Sequence, residues 1–193
     1  MVEEVKMLQA AQTSGCVPKL IDTFNFKNKS VIIMELCEGE TLGDLLTISR
    51  PLKRTMHRII AGIFDAILRL HSIAGVIHND IKFDNILVKM RGKECEIRLI
   101  DLGHSKFAGE EVFSDMSEEK ISDFPHFDPA LALRGRCSER TDFYSFGYLL
   151  QQIAELYDCP VYEYMGEKLC SGTLNEIEED CFLASYCSKC AFQ

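Results

Sequence analysis

The stretch GVIHNDIKFDNILV, residues 75–88, decides how this chain is read. It places His78, Asn79, Asp80, Lys82, Asp84 and Asn85 within eight positions. Upstream, Ile59, Ile60, Ile63, Phe64, Ile67 and Leu70 recur at helical spacing, which predicts a long, mostly buried helix between Leu52 and Ser72. Downstream, NILVKM and EIRLID predict two short strands around the turn RGKE. Polar groups concentrated on a loop between two rigid elements are where chemistry tends to live.

Working outward, Val5, Leu8 and Ala11 predict a helix over residues 3–12, which SGCVP breaks. KLIDTFNF and SVIIMELC read as a hairpin across KNK, and Thr41 as the cap of a helix through LGDLL. Residues 104–128 carry little periodicity and many acids, as a long exposed loop does, whereas TDFYSFGYLLQQIAELY reads as a central apolar helix. The remainder is polar and ends in a short helix-like segment. This order predicts an α+β fold in two unequal lobes.

Bulk composition excludes some functions. The chain has 193 residues, 47% of them hydrophobic, enough for one sizeable core. With 21 basic and 30 acidic residues it carries a net charge of −9, which disfavours nucleic acid as a partner. No apolar run is long enough to cross a bilayer, so no membrane partner is expected. The start MVEEVKMLQAAQ is acidic and amphipathic, unlike a secretory leader, so a cytoplasmic or nuclear protein with reduced cysteines is expected. Cys187-x-x-Cys190, with Cys170 and Cys181, has some character of a zinc site, but ordinary helix cysteines fit better because no His lies nearby.

The loop has the spacing H-x-D-x-K-x-x-N, and Asp101-Leu102-Gly103 begins sixteen residues after Asn85. Together these resemble the catalytic loop and magnesium-binding segment of the eukaryotic protein kinases. Further stretches follow in register. MELCEGETLGDLL resembles the hinge, with Met34 at the gatekeeper position and Glu35 to Cys37 facing an adenine edge. Ile86, Leu87 and Val88 match the apolar strand beneath the adenine ring. SERTDFYSFG resembles the start of the central helix, with Asp142 as its tie to the loop, and Glu4 resembles the glutamate of helix C.

The resemblance implies ATP-dependent phosphorylation of protein Ser or Thr, since Lys82 two residues after Asp80 fits that type. It implies Asp80 as base, Lys82 as the phosphate contact, and Asn85 and Asp101 as Mg²⁺ ligands. It implies Met34, Glu35, Cys37 and Leu87 around the nucleotide. His78, on an apolar flank, reads as a packed residue rather than a catalyst. The implied fold is a two-lobe kinase-like domain over residues 1–193, with a reduced small lobe (1–36, helix C plus a hairpin) and a partial, mainly helical large lobe (37–193).

Departures from the family pattern limit that reading. No glycine-rich strand–turn–strand and no strand lysine precede Glu4, and Lys6 shares its helix. Asn79 stands where most kinases have Arg, so phosphorylation of Ser105, Ser114, Ser117 or Ser122 has no obvious docking partner. Asp128-Pro129-Ala130 lies in register with A-P-E, without its Glu, and CFLASYCSKCAFQ stops short of the Arg that Glu pairs with. These departures imply a chain truncated at both ends, with apolar faces on helix C and the hairpin exposed. They keep alive a catalytically impaired, pseudokinase-like binding module that docks a partner chain and, last, a small-molecule phosphotransferase.

Overall fold

The computed structural model describes residues 3–27, 29–112 and 123–173, with residues 132–134 described in backbone only. Helix α1 (Glu3–Ala11) leads into a 3₁₀ turn (Gln12–Ser14) and an antiparallel hairpin, β1 (Leu20–Phe26) with β2 (Lys29–Met34). A two-residue strand β3 (Glu40–Thr41) opens α2 (Leu42–Ile48), and α3 (Lys53–Ala74) follows. Then come β4 (Val76–Ile77), β5 (Ile86–Arg91), β6 (Glu94–Leu99), β7 (Lys106–Phe107), α4 (Pro129–Arg134), α5 (Glu139–Tyr157) and α6 (Pro160–Ser171).

The apolar stripe of α3 does what its spacing requires. Met56, Ile59, Ile60, Ile63, Phe64, Ile67 and Leu70 are all fully buried. The helix stops at Gly75, which takes φ 65° and donates its N–H to the carbonyls of His71 and Leu70. That left-handed cap turns the chain directly into the polar loop. On the far side, β5 pairs with β6 through six registered positions and with β3 at Val88 and Leu87. The loop is therefore held between a long buried helix and a three-stranded sheet ordered β3-β5-β6.

The hairpin ends earlier than the sequence predicts: Glu35, Leu36 and Cys37 lie beyond β2. Helix α1 departs from expectation in a different way. Its apolar residues Val5, Met7, Leu8 and Ala11 are buried, and Met7, Leu8 and Ala11 belong to one core shared with α3 and α5. The hairpin, by contrast, leaves apolar side chains open, with Ile21, Phe24 and Phe26 exposed. Helix α6 has no counterpart in the sequence reading. Proline at its first position reads as a breaker, yet its missing N–H costs nothing there. Nor is 104–128 uniformly exposed: Ser105, Phe127 and Asp128 are buried, and Phe127 joins a second small core with Ile77, Leu131 and Cys137.

Among the described residues no helix is long and apolar enough to cross a membrane. Ser114, Ser117, Ser122, Cys181, Cys187 and Cys190 lie outside the described residues.

Candidate active site

Asp142, in the first turn of α5, is completely buried and organises the loop. Its Oδ2 accepts from His78 N at 2.8 Å and from His71 Nε2 at 2.7 Å, and its Oδ1 accepts from Asn79 N at 2.7 Å. A carboxylate is well placed there, since helix N-termini favour negative charge. One side chain thereby joins the end of α3, the polar loop and α5.

His78 is fully buried and takes a packing role. Its Nε2 donates to the Ile100 carbonyl at 3.1 Å, and its Nδ1 accepts from Asp80 N at 3.3 Å. Burial pushes its pKa down, against the nearby charges of Asp142 and Asp80 that pull it up. Asn79, also buried, takes φ 63°, a left-handed conformation that Asn tolerates better than most residues. Its Nδ2 donates to the carbonyls of Ile77 and His104 at 3.3 and 3.1 Å, and its Oδ1 accepts from Thr141 Oγ1 at 2.9 Å.

The backbone so fixed presents Asp80, Lys82 and Asn85 together. Lys82 Nζ donates to Asp80 Oδ2 at 2.7 Å. Asn85 Nδ2 donates to the same oxygen at 2.7 Å and to the Asp80 carbonyl at 2.9 Å. The other oxygen, Oδ1, accepts from His126 Nε2 at 2.9 Å. Burial alone would push the Asp80 carboxyl up, but the hydrogen bonds from His126 and Lys82, with the Lys82 charge, hold it far below the ordinary carboxylate range. His126 is the site residue the sequence did not reveal. It sits in a stretch without periodicity, and only folding carries it 46 positions back to Asp80.

Asp101 follows β6, and its neighbour Ile100 donates its N–H to the Asn85 carbonyl at 3.0 Å. Asp101 takes φ 63° and is exposed, with Oδ1 accepting from Gly103 N at 3.2 Å. Asn85 spends its amide N–H groups on Asp80, so its Oδ1 is the atom left for a ligand. Two hard oxygens on adjoining backbone suit a magnesium ion that takes its other ligands from phosphate and water. Among the described residues no group of three or more His, Cys, Asp or Glu lies placed to hold a metal ion.

Comparison with known proteins turns this geometry into an assignment: residues 1–179 match the protein kinase domain family. The chain belongs to the protein kinase family. It is 26% identical over 156 residues to the serine/threonine-protein kinase SMU1 of Mycosarcoma maydis, covering 80% of this chain and 20% of that protein. It is 30% identical over 132 residues to the human hormonally up-regulated neu tumor-associated kinase, covering 68% and 18% respectively. For the serine/threonine-protein kinase pkn2 of Myxococcus xanthus the identity is 24% over 152 residues, covering 78% and 18%. The chain thus spans about a fifth of the length of these relatives.

Other positions that resemble kinase landmarks lie as follows. Leu87 is half-buried on the face of β5 opposite the buried Ile86 and Val88. Met34 is exposed at the end of β2. Glu35 turns back on Lys19: its N–H donates to the Lys19 carbonyl at 2.8 Å and its carboxylate accepts from Lys19 N at 3.1 Å. Cys37 is half-buried, and burial followed by the Glu35 charge pushes its thiol pKa up. Glu4 makes no ion pair among the described residues. Lys6 instead meets Glu3 at 3.6 Å and Glu110 at 4.0 Å.

Two departures from the kinase pattern acquire a physical account. Asn79 is no exposed receptor for a phosphate; it is a buried cross-link, and Ser105 is buried with its hydroxyl on the His78 carbonyl at 3.2 Å. Asp128, in the A-P-E register, caps α4 through Ala130 N at 2.8 Å and accepts from Arg140 Nε on α5 at 3.2 Å. An ion pair thus anchors this segment to α5.

Proposed function

We propose that the chain carries the phosphotransfer centre of a protein serine/threonine kinase. The observation that carries this reading is the convergence of Asp80, Lys82 and Asn85 within hydrogen-bonding distance on a loop locked by Asp142. Asp80 is the base that takes or orients the proton of a Ser or Thr hydroxyl. Lys82 contacts the transferring phosphate, and its bond to Asp80 keeps both groups in register. Asn85 and Asp101 hold Mg²⁺, which supplies charge neutralisation on the phosphate oxygens of ATP. Glu35, Cys37, Met34 and Leu87 border the adenine. The partner is a protein substrate rather than nucleic acid or membrane, and a cytoplasmic or nuclear setting goes with that reading.

A second reading, a catalytically impaired module that binds a partner through the same fold, draws on Glu4, which makes no ion pair among the described residues. In an active kinase that residue holds the lysine that grips the α and β phosphates. Calorimetric titration of the 193-residue chain with ATP and Mg²⁺ separates the two. Magnesium-dependent binding that is lost in Asp101→Asn supports an assembled phosphate site. No binding at millimolar ATP would leave the partner-binding module.

A further inference from the structure

The hairpin has an edge that nothing else in the fold uses. Its sheet consists of β1 and β2 alone, so among the described residues no strand pairs with the outer side of β2. A two-stranded sheet is marginal in water and gains from further strands. One face is supported, because Leu20 and Ile32 pack against the main core. The other is open, with Phe24 45%, Phe26 59% and Ile33 39% exposed.

The two edges of this sheet differ. β1 carries a bulge between Leu20 and Asp22, and a bulge beside a charge keeps a strand edge from pairing. β2 runs without a bulge or a proline, and Val31, Ile32 and Ile33 at its centre favour strands. The Glu35 N–H points inward, to the Lys19 carbonyl at 2.8 Å. By alternation the N–H groups of Ser30, Ile32 and Met34 point outward, away from β1.

We propose that β2 pairs antiparallel with β2 of a second copy of this chain, about a two-fold axis at Ile32, joining two hairpins into one four-stranded sheet. Charge complementarity selects both the occupant and the register. With the axis at Ile32, Lys29 lies opposite Glu35 of the second copy and Val31 opposite its Ile33, and symmetry repeats each pair. These are non-hydrogen-bonded positions, where facing side chains come closest. With the axis at Val31, Lys29 would face Ile33; with the axis at Ile33, Glu35 would face Val31. Either shift leaves the charges unmatched. Val31 is also paired with Phe24 and Lys29 with Phe26, so the open face becomes continuous across the axis. None of the net charge of −9 arises here, since residues 19–36 hold Lys19, Lys27 and Lys29 against Asp22 and Glu35.

Sedimentation equilibrium of the full chain over the micromolar range tests this, with circular dichroism melts to check that each variant folds. The unaltered chain is expected to approach a dimer. Ser30→Pro removes one outward N–H from each copy and keeps the hairpin's own ladder, losing only the Ser30 Oγ bond to Asn25. It should be monomeric. Lys29→Glu and Glu35→Lys each set like charges opposite one another twice, and each should raise the dissociation constant about tenfold. Lys29→Glu combined with Glu35→Lys exchanges the two charges and should return the parent value.

The signs separate this pairing from bulk repulsion. Glu35→Lys makes the net charge two units less negative, so it would tighten any association governed by overall charge. A monomeric unaltered chain, tighter association in Glu35→Lys, or a double variant no tighter than the single ones overturns the proposal. Oligomers that persist in Ser30→Pro overturn it too, and move the contact to another surface.

Discussion

Asp142 touches no reacting group in any version of the chemistry, yet more of the site depends on it than on any other side chain. Two backbone N–H groups and one imidazole nitrogen, all buried, end on its two oxygens. Removing the carboxylate strands them without water, at about 1–3 kcal/mol for each unsatisfied donor. Asp142→Ala is therefore expected to lower unfolding stability by about 3–5 kcal/mol, read from urea denaturation midpoints; a loss under about 1 kcal/mol would mean the loop is held by something else. Asp80 ties the site to pH in a defined direction. Its folded pKa is depressed below the unfolded carboxylate value of about 3.9, so ionised Asp80 supports the fold above that pH. That contribution is lost progressively as pH falls below about 3.9 and is gone once pH has fallen through the folded value in strong acid. Asp80, Lys82 and Asn85 were legible in the sequence because their spacing is local. His126 was not, because its only link to Asp80 is a contact across the fold.

At the scale of elements, α5 and α6 approach closely around Gly147 and Gly166. A Cβ on Gly147 would lie 2.8 Å from the Gly166 carbonyl oxygen and 2.8 Å from Leu169 Cβ, both closer than such atoms normally come. Gly147→Ala should therefore cost about 1–3 kcal/mol by forcing the helices apart. Thermal melts check this: an unchanged midpoint would show that the helices part freely. The sequence made α3 legible because a stripe of Ile, Leu and Phe at helical spacing has few other ways to be buried. Helix α6 escaped the same logic. Its buried positions Tyr162, Gly166 and Leu169 are spaced correctly, but a glycine adds nothing to a hydrophobic pattern. Contact with Gly147 and Gln151 across the helix pair shows why a side chain at Gly166 would be harmful.

For the whole molecule, the uneven treatment of apolar surface matters most. Helix α1 shares the main core, whereas the hairpin presents Ile21 at 66%, Phe26 at 59% and Leu36 just beyond it at 92% exposure. Exposed apolar side chains of this kind favour association. The isolated chain is expected to sediment as concentration-dependent oligomers, and Ile21→Lys with Phe26→Lys to shift it toward monomer. A clean monomer for the unaltered chain across the micromolar range would remove the patch from consideration. The net charge of −9 opposes self-association, so raising salt should strengthen it by screening.

By itself the sequence determined the helix–loop–strand frame, because that rests on periodicity, and the clustering of Asp80, Lys82 and Asn85, because that rests on spacing within a short stretch; the kinase resemblance rests on those motifs. Tertiary structure alone decided that Asn79 is a buried cross-link, that Asp128 finds Arg140, that α1 is covered while the hairpin is not, and that His126 meets Asp80. The physical reason is common to all four. Burial and hydrogen-bond partnership are settled by what a segment packs against, and those neighbours lie too far along the chain for any local pattern to announce them.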